Sequence, residues 1–171
     1  MHGVLIGRFQ PFHAGHLEVV RQLRSARPQE PLILGIGSAQ ESYTWKNPFT
    51  AGERFEMIEA SLAEAHLTRC AIVPVPDIER HAQWVAYVRS LLPPFDRVYT
   101  NNPLTRLLFE RDQVAVESPP LVDRARFEGA KIRTALATDG DWTPSVPPAV
   151  AAILRHLDAP ARLRLLRPGE G

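Results

Sequence analysis

At 171 residues, the chain is long enough to bury one sizeable core and short enough to be a single domain. Its formal net charge of +1 is too mild to make nucleic acid or a membrane surface the main partner. A single cysteine excludes an intrachain disulfide; with no apolar run of membrane-span length and no signal segment before the first apolar run, the expected location is the cytoplasm.

The first apolar run, Val4-Leu5-Ile6, ends at Gly7 and gives way to a short loop holding Arg8, Gln10 and Pro11. A helical pattern then opens at Ala14 and runs to about Ala26, with His13 and His16 at its mouth. A buried strand feeding a helix N-terminus presents unpaired backbone N–H groups and the positive end of the helix dipole, which suits phosphate. Gly15, lacking a Cβ, is expected to let a ligand lie close to the backbone. Two imidazoles three residues apart share one helix face, where both can donate N–H bonds to phosphate oxygens. A zinc helix would instead carry its histidines at i and i+4 with further ligands elsewhere, and no such partner motif is visible, so no metal site is expected.

Residues 32–36 read as a second buried strand running into the small, polar loop Gly37-Ser38-Ala39-Gln40. The following loop carries Tyr43, Trp45 and Lys46, placed to close over a ligand. Thr50 and Glu53 form a capping box for a helix whose apolar face is Phe55, Ile58 and Leu62. A third strand (71–75) runs out at Pro76-Asp77, a helix follows over 82–92, a short fourth strand over 97–99, a helix over 104–111 and a fifth strand over 114–116. Cys70, at the head of the third strand, reads as a small core residue.

Strands alternating with helices at this spacing imply an α/β fold, a Rossmann-like parallel sheet wound by right-handed crossovers with helices on both faces. Ligands in such sheets sit outside the carboxyl ends of the strands, so His13, Ser38, Asp77 and Asn102 are expected to share one crevice. The last third begins with a basic stretch, 124–133, leading into a helix near Gly129; a turn and a helix over 146–156 follow. The reading is one domain over 1–157 and a tail over 158–171, which carries Arg162, Arg164 and Arg167 and is either a helix continuation or a frayed end. The 16 prolines sit mostly in loops and punctuate elements.

His13-Ala14-Gly15-His16 resembles the HxGH signature of the nucleotidylyltransferase superfamily, and the longer GRFQPFHAGH resembles the archaeal-type nicotinamide-nucleotide adenylyltransferases. The resemblance continues in order through IGSAQ, NPFTAGER, PDIE with Trp84 after it, PPFDRVY and Asn102-Pro103. It implies transfer of AMP from ATP to nicotinamide mononucleotide, giving NAD and pyrophosphate with Mg²⁺ carried on the ATP, by a homo-oligomer whose partners are small-molecule nucleotides. Rival readings are another acceptor, such as nicotinate mononucleotide, phosphopantetheine or FMN, and a nucleotide sensor that has lost catalysis.

The resemblance also implies roles. Arg8 would hold ATP phosphates, His13 and His16 the α-phosphate and triphosphate, and Arg133 the β- and γ-phosphates from a helix N-terminus. Gly7, Phe9, Gln10, Gly15, Ser38, Lys46, Asn47, Asn101, Asn102 and Gly129 fall at nucleotide-site positions. Asp77 would lie near the mononucleotide's ribose or amide, and Trp84 would stack on the nicotinamide ring, a reversal of the core reading that a Trp on a helix face receives without the resemblance. Three positions depart from the family pattern: Ala130 stands where Thr is usual, His81 where Asn is frequent, and Asn101 where Gly is frequent, a mild change because Asn tolerates positive φ.

Overall fold

The computed structural model describes residues 2–120, 122–123 and 126–168. Five strands, β1 (His2–Gly7), β2 (Leu32–Gly37), β3 (Cys70–Val75), β4 (Phe95–Tyr99) and β5 (Ala115–Glu117), form one sheet in the order β3-β2-β1-β4-β5. Every pairing is parallel, with Leu5 of β1 opposite Leu34 of β2 on one side and Tyr99 of β4 on the other.

Period-2 alternation assigns the two faces. Leu5, Leu34 and Tyr99 point into one core, filled by Val20 and Leu23 of α1 (Ala14–Ala26), Met57 and Ile58 of α2 (Ala51–Glu64), and residues from α5 (Gly129–Ala137), α6 (Pro148–His156) and α7 (Ala159–Leu166). Val4, Ile33 and Val98 point into the other, against Val85 and Val88 of α3 (His81–Leu91) and Phe109 of α4 (Pro103–Arg111). β2 is buried at all six positions, as its near-continuous apolar sequence requires.

The chain leaves β1 through α1 and α2 toward β2 and β3, then returns through α3 to the far side of β1 and builds β4 and β5 there. The direction of winding therefore reverses between β1 and β4. A crevice opens at such a point outside the carboxyl ends of the two strands.

The expected elements all form, with ends displaced by one or two residues. The capping box at the start of α2 is present, Glu53 Oε2 accepting the Thr50 N–H at 2.9 Å and Thr50 Oγ1 accepting the Glu53 N–H at 3.1 Å. Phe55 is only half-buried; the inner face of α2 is instead Arg54, Met57, Ile58, Ser61 and Leu62. Of the tail, Ala159–Leu166 forms a helix of its own rather than a continuation of α6, and residues 169–171 lie outside the described residues. This helix is set off from α6 by Asp158 in the left-handed region (φ 46°), and it buries Ala159 and Leu163 completely.

Candidate active site

A cleft of about 810 Å³ opens at the β1/β4 switch point, within the roughly 300–1,000 Å³ usual for small-molecule sites. Its walls are the end of β1 with Gly7, Arg8 and Phe9, the first turn of α1 with His13, Gly15 and His16, the β4 end from Tyr99 to Pro103, and Phe127 to Gly129 at the mouth of α5.

His13 is the N-cap of α1, and its imidazole Nδ1 accepts the backbone N–H of His16 at 3.2 Å. In return His16 Nδ1 accepts the backbone N–H of His13, also at 3.2 Å. This is a capping box built from two histidines, where Ser or Thr with Glu is usual. Because each Nδ1 is an acceptor, each neutral ring carries its proton on Nε2, which is the one N–H each has to offer a ligand. Burial pushes the His13 pKa down to about 4. His16 is lowered well below the ordinary value, by burial first and then by the charge of His13. The pair is thus a fixed set of neutral donors near pH 7.

The loop between β1 and α1 is held from behind. Phe9 sits in the left-handed region (φ 51°) with its ring buried, edge-on to His16 at 4.9 Å and 5.6 Å from Phe12. A β-carbon on Gly7 would lie 2.8 Å from that ring, so the glycine is required by Phe9. Gln10 donates from Nε2 to the Phe49 carbonyl at 2.8 Å and accepts the Phe49 N–H at 3.0 Å, tying the loop to the segment before α2. The Gln10–Pro11 peptide is cis.

Two buried guanidiniums complete the support. Arg54 is fully buried and donates to the carbonyls of Arg8 (2.9 Å), Gly37 (2.8 Å), Ser38 (3.1 Å) and Thr50 (3.1 Å). Its pKa is pushed down to about 10 by burial and by nearby Arg8, against the opposing pull of Asp77 and Glu53. Arg133 donates to the Gln10 carbonyl at 2.8 Å; it is buried behind the cleft wall rather than on it, and its Nε has no hydrogen-bond partner among the described residues. Its pKa is lowered by burial and by Arg8. Arg8 itself is exposed at the cleft wall. Tying down the loop's carbonyls leaves the histidine Nε2–H groups and Arg8 as donors on the cleft wall, with Glu128 the acidic side chain among the described lining residues.

At three places the geometry is more specific than expected. The crevice does not take in all four loops: Ser38 and Asp77 lie outside the cleft walls, Ser38 with its carbonyl on Arg54 and Asp77 with its N–H on Gln40 Oε1 at 2.9 Å. The physical reason is the switch point, which opens the sheet edge between β1 and β4 and leaves the β2 and β3 ends joined to each other, as in the Ala39 N–H to Val75 carbonyl bond. Gly15 faces a side chain: a β-carbon there would lie 2.7 Å from Cβ of Phe127 and 3.2 Å from the His13 ring. Asn101 is not among the described residues with positive φ, so the Gly-to-Asn departure needs no special backbone.

Other expected site residues are placed as follows. Asn102 lines the cleft and caps α4, Oδ1 accepting the Thr105 N–H at 3.0 Å; Asn101 lines it as well. Gly129 lies at the cleft mouth, where a β-carbon would crowd Arg133 Nη1 and the Gln10 carbonyl at 3.2 Å. Lys46 and His81 are exposed and Asn47 is half-buried with Oδ1 unpartnered; none of the three is on the cleft wall. Trp84 is half-buried in the first turn of α3, edge-on to Phe109 at 5.4 Å, also off the wall. Trp45, expected to close over a ligand, packs partly against the first core. Arg124 falls outside the described residues. The sequence reading gave no role to Arg54, and its one signal was a charged residue at an apolar-face position of α2.

A family model described as cytidylyltransferase-like matches residues 4–135. The nicotinamide-nucleotide adenylyltransferase of Thermoplasma volcanium is 46% identical over 162 residues, covering 95% of this chain and 90% of that protein. The enzyme of the same name from Halobacterium salinarum is 47% identical over 162 residues, with the same coverage of both chains. Among solved structures, a bifunctional NMN adenylyltransferase/ADP ribose pyrophosphatase from Francisella tularensis, complexed with AMP and a manganese ion, superposes with a TM-score of 0.76 at 21% identity. That likeness covers 97% of this chain and 52% of the other, so the chain spans about half its length.

Proposed function

Because the chain belongs to the cytidylyltransferase-like family, and within it to the nicotinamide-nucleotide adenylyltransferases, we propose that it transfers AMP from ATP to nicotinamide mononucleotide, forming NAD and pyrophosphate. The observation that carries the reading is the histidine capping box at the cleft. It sets two neutral Nε2–H donors at a helix N-terminus, where a phosphate is also favoured by the dipole.

The chemistry asks little else of the protein. The acceptor is a phosphate monoester with a second pKa of about 6, mostly dianionic at pH 7, so its oxygen attacks the α-phosphorus without a general base. The bond from the α-phosphorus to the bridging oxygen breaks and pyrophosphate departs with that electron pair. The protein aligns the groups and offsets charge on the non-bridging and leaving oxygens. His13 and His16 donate to the α-phosphoryl oxygens, Arg8 meets the triphosphate at the cleft wall, and Arg133 and the first N–H groups of α5 meet its far end. Mg²⁺ enters as part of the substrate, MgATP. Among the described residues no group of three or more His, Cys, Asp or Glu could hold a metal ion, and the His13, His16 and Arg8 donors on the wall fit phosphate oxygens.

Ala130 is exposed in the first turn of α5, where the family's threonine hydroxyl would add one phosphate contact. Backbone N–H groups of that turn remain, and Ala130→Thr is expected to lower KM for ATP. Trp84 follows the carboxyl end of β3, on the carboxyl side of the sheet but off the cleft wall, and its family position assigns it to the nicotinamide ring, with Asp77 and His81 assigned likewise to the mononucleotide.

The decisive assay is purified protein with ATP, Mg²⁺ and, separately, nicotinamide and nicotinate mononucleotides, with products resolved by chromatography. NAD formed faster than the acid analogue is the expected result, and no dinucleotide from either would overturn the reading. The same reading carries a cytoplasmic location and self-association, for which the exposed Leu104 and Leu107 of α4 offer a contact face; light scattering checks the latter.

A further inference from the structure

We propose that Arg162, on the last helix, is a positioning residue for the phosphate cradle, an inference that rests on the adenylyl-transfer reading above. α7 lies far along the chain from the histidines, yet one side chain joins it to the loop that precedes them by two short routes. Arg162 Nη1 and Nη2 donate to Oε2 and Oε1 of Glu53 at 2.7 and 2.8 Å, and Nη1 also donates to the Pro48 carbonyl at 3.3 Å. The guanidinium lies 5.1 Å from the ring centre of Tyr43 and 5.8 Å from that of Phe49. The pair is largely shielded, its side chains 16% and 15% exposed, so it is better placed than a surface pair to hold one geometry.

Glu53 is itself the capping residue that accepts the Thr50 N–H. Arg162 therefore fixes the segment from Pro48 to Glu53 at three points. One route continues through Phe49, whose N–H and carbonyl are both engaged by the Gln10 side chain. The other continues through Arg54, next to Glu53, which donates to the Arg8 carbonyl. Both end on Arg8 to Gln10, the backbone on which the cradle and its ATP-phosphate contacts depend. A displacement of about 1 Å in such a support costs up to about a hundredfold in rate.

The rival is that Arg162 only fastens α7 to the body, and Arg164 separates the two. It lies on the same helix but pairs with exposed Asp139 at 2.9 Å, away from the 48–53 segment. Arg162→Ala, Arg162→Lys and Arg164→Ala are to be compared by steady-state kinetics on each substrate and by amide hydrogen exchange. The expected result for Arg162→Ala is a loss in kcat/KM for ATP of about tenfold or more, with KM for the mononucleotide changed less and faster exchange at the Phe49 amide. Arg162→Lys recovers part of this, and Arg164→Ala stays within about twofold of the parent. If Arg162→Ala does not fold, Glu53→Gln, which keeps the cap and removes the charge, takes its place with the same expectation. Arg162→Ala or its substitute matching Arg164→Ala in both ATP kinetics and Phe49 exchange overturns the proposal. A parent that makes no NAD refutes the transfer reading alone, because exchange at Phe49 still tests the coupling.

Discussion

The imidazoles of His13 and His16 lie stacked, 3.4 Å between ring centres and 17° between planes, each accepting the other's backbone N–H. The two roles of these rings, closing the helix end and donating to phosphate, use different nitrogens and are therefore separable. Asn at position 13 retains an oxygen that caps a helix well but loses the imidazole Nε2–H. His13→Asn is expected to keep the melting temperature near that of the parent while lowering kcat more than tenfold, about 2–4 kcal/mol of transition-state stabilisation. His16→Ala loses both roles, the cap costing about 1 kcal/mol of stability and kcat falling by a similar factor. Kinetics beside a thermal melt checks this; an unchanged kcat in folded His16→Ala removes the histidine from the mechanism.

The same pair makes stability depend on pH. Burial holds His13 at about 4 in the folded protein, against 6.5 for the free side chain, so below 6.5 the unfolded chain binds a proton that the folded chain refuses. The stabilisation is present above pH 6.5 and is lost as pH falls toward 4, on the order of 3 kcal/mol for His13. Denaturant melts across that interval should show the decline in the parent and a shallower one in His13→Asn. Equal slopes would mean that His13 is not held neutral.

Much of the fold was legible because its signals are local. Val4 to Ile6 and Leu32 to Ile36 read as strands from apolar runs, and Thr50 with Glu53 announced α2 by its cap. The site was less legible, since its boundary is topological: strand order, not strand sequence, puts the cleft between β1 and β4 and leaves Ser38 and Asp77 outside it. The support behind the loop was hidden for another reason. Arg54 and Arg162 act through carbonyls and a carboxylate brought near by folding, and no spacing in the sequence marks which arginine is buried. Phe9 at positive φ likewise follows from its packing on Gly7 and His16, a tertiary cause.

The reaction path has a stereochemical test. The cleft brings donors to the phosphate, and its two histidines have no lone pair free to attack, since each Nδ1 accepts a backbone N–H and each Nε2 carries the proton. Direct attack of the mononucleotide phosphate on the α-phosphorus predicts inversion when ATP carries an isotopically chiral α-phosphate. Retention would require an adenylyl-enzyme and sink the single-displacement path.

Trp84 separates the two substrates. Its ring is only half-buried and rests edge-on against Phe109 at 5.4 Å and 68°, which anchors it without enclosing it. If it stacks on the nicotinamide ring, the pyridinium gains a cation–π contribution of about 0.5–2 kcal/mol. Trp84→Ala should then raise KM for nicotinamide mononucleotide by several-fold to tens of fold and leave KM for ATP nearly unchanged. Truncating a fully buried Trp costs about 3–5 kcal/mol, and a half-buried one should cost less, so the melting temperature should fall modestly. Trp84→Phe keeps an aromatic face and the contact with Phe109, and should recover most of the acceptor affinity. A purely structural Trp predicts a different pattern, with stability collapsing in Trp84→Ala and both substrates losing activity in proportion to folded protein. Kinetics on each substrate with a melt on each variant decides between them, and equal weakening toward ATP and the mononucleotide would remove Trp84 from the acceptor site.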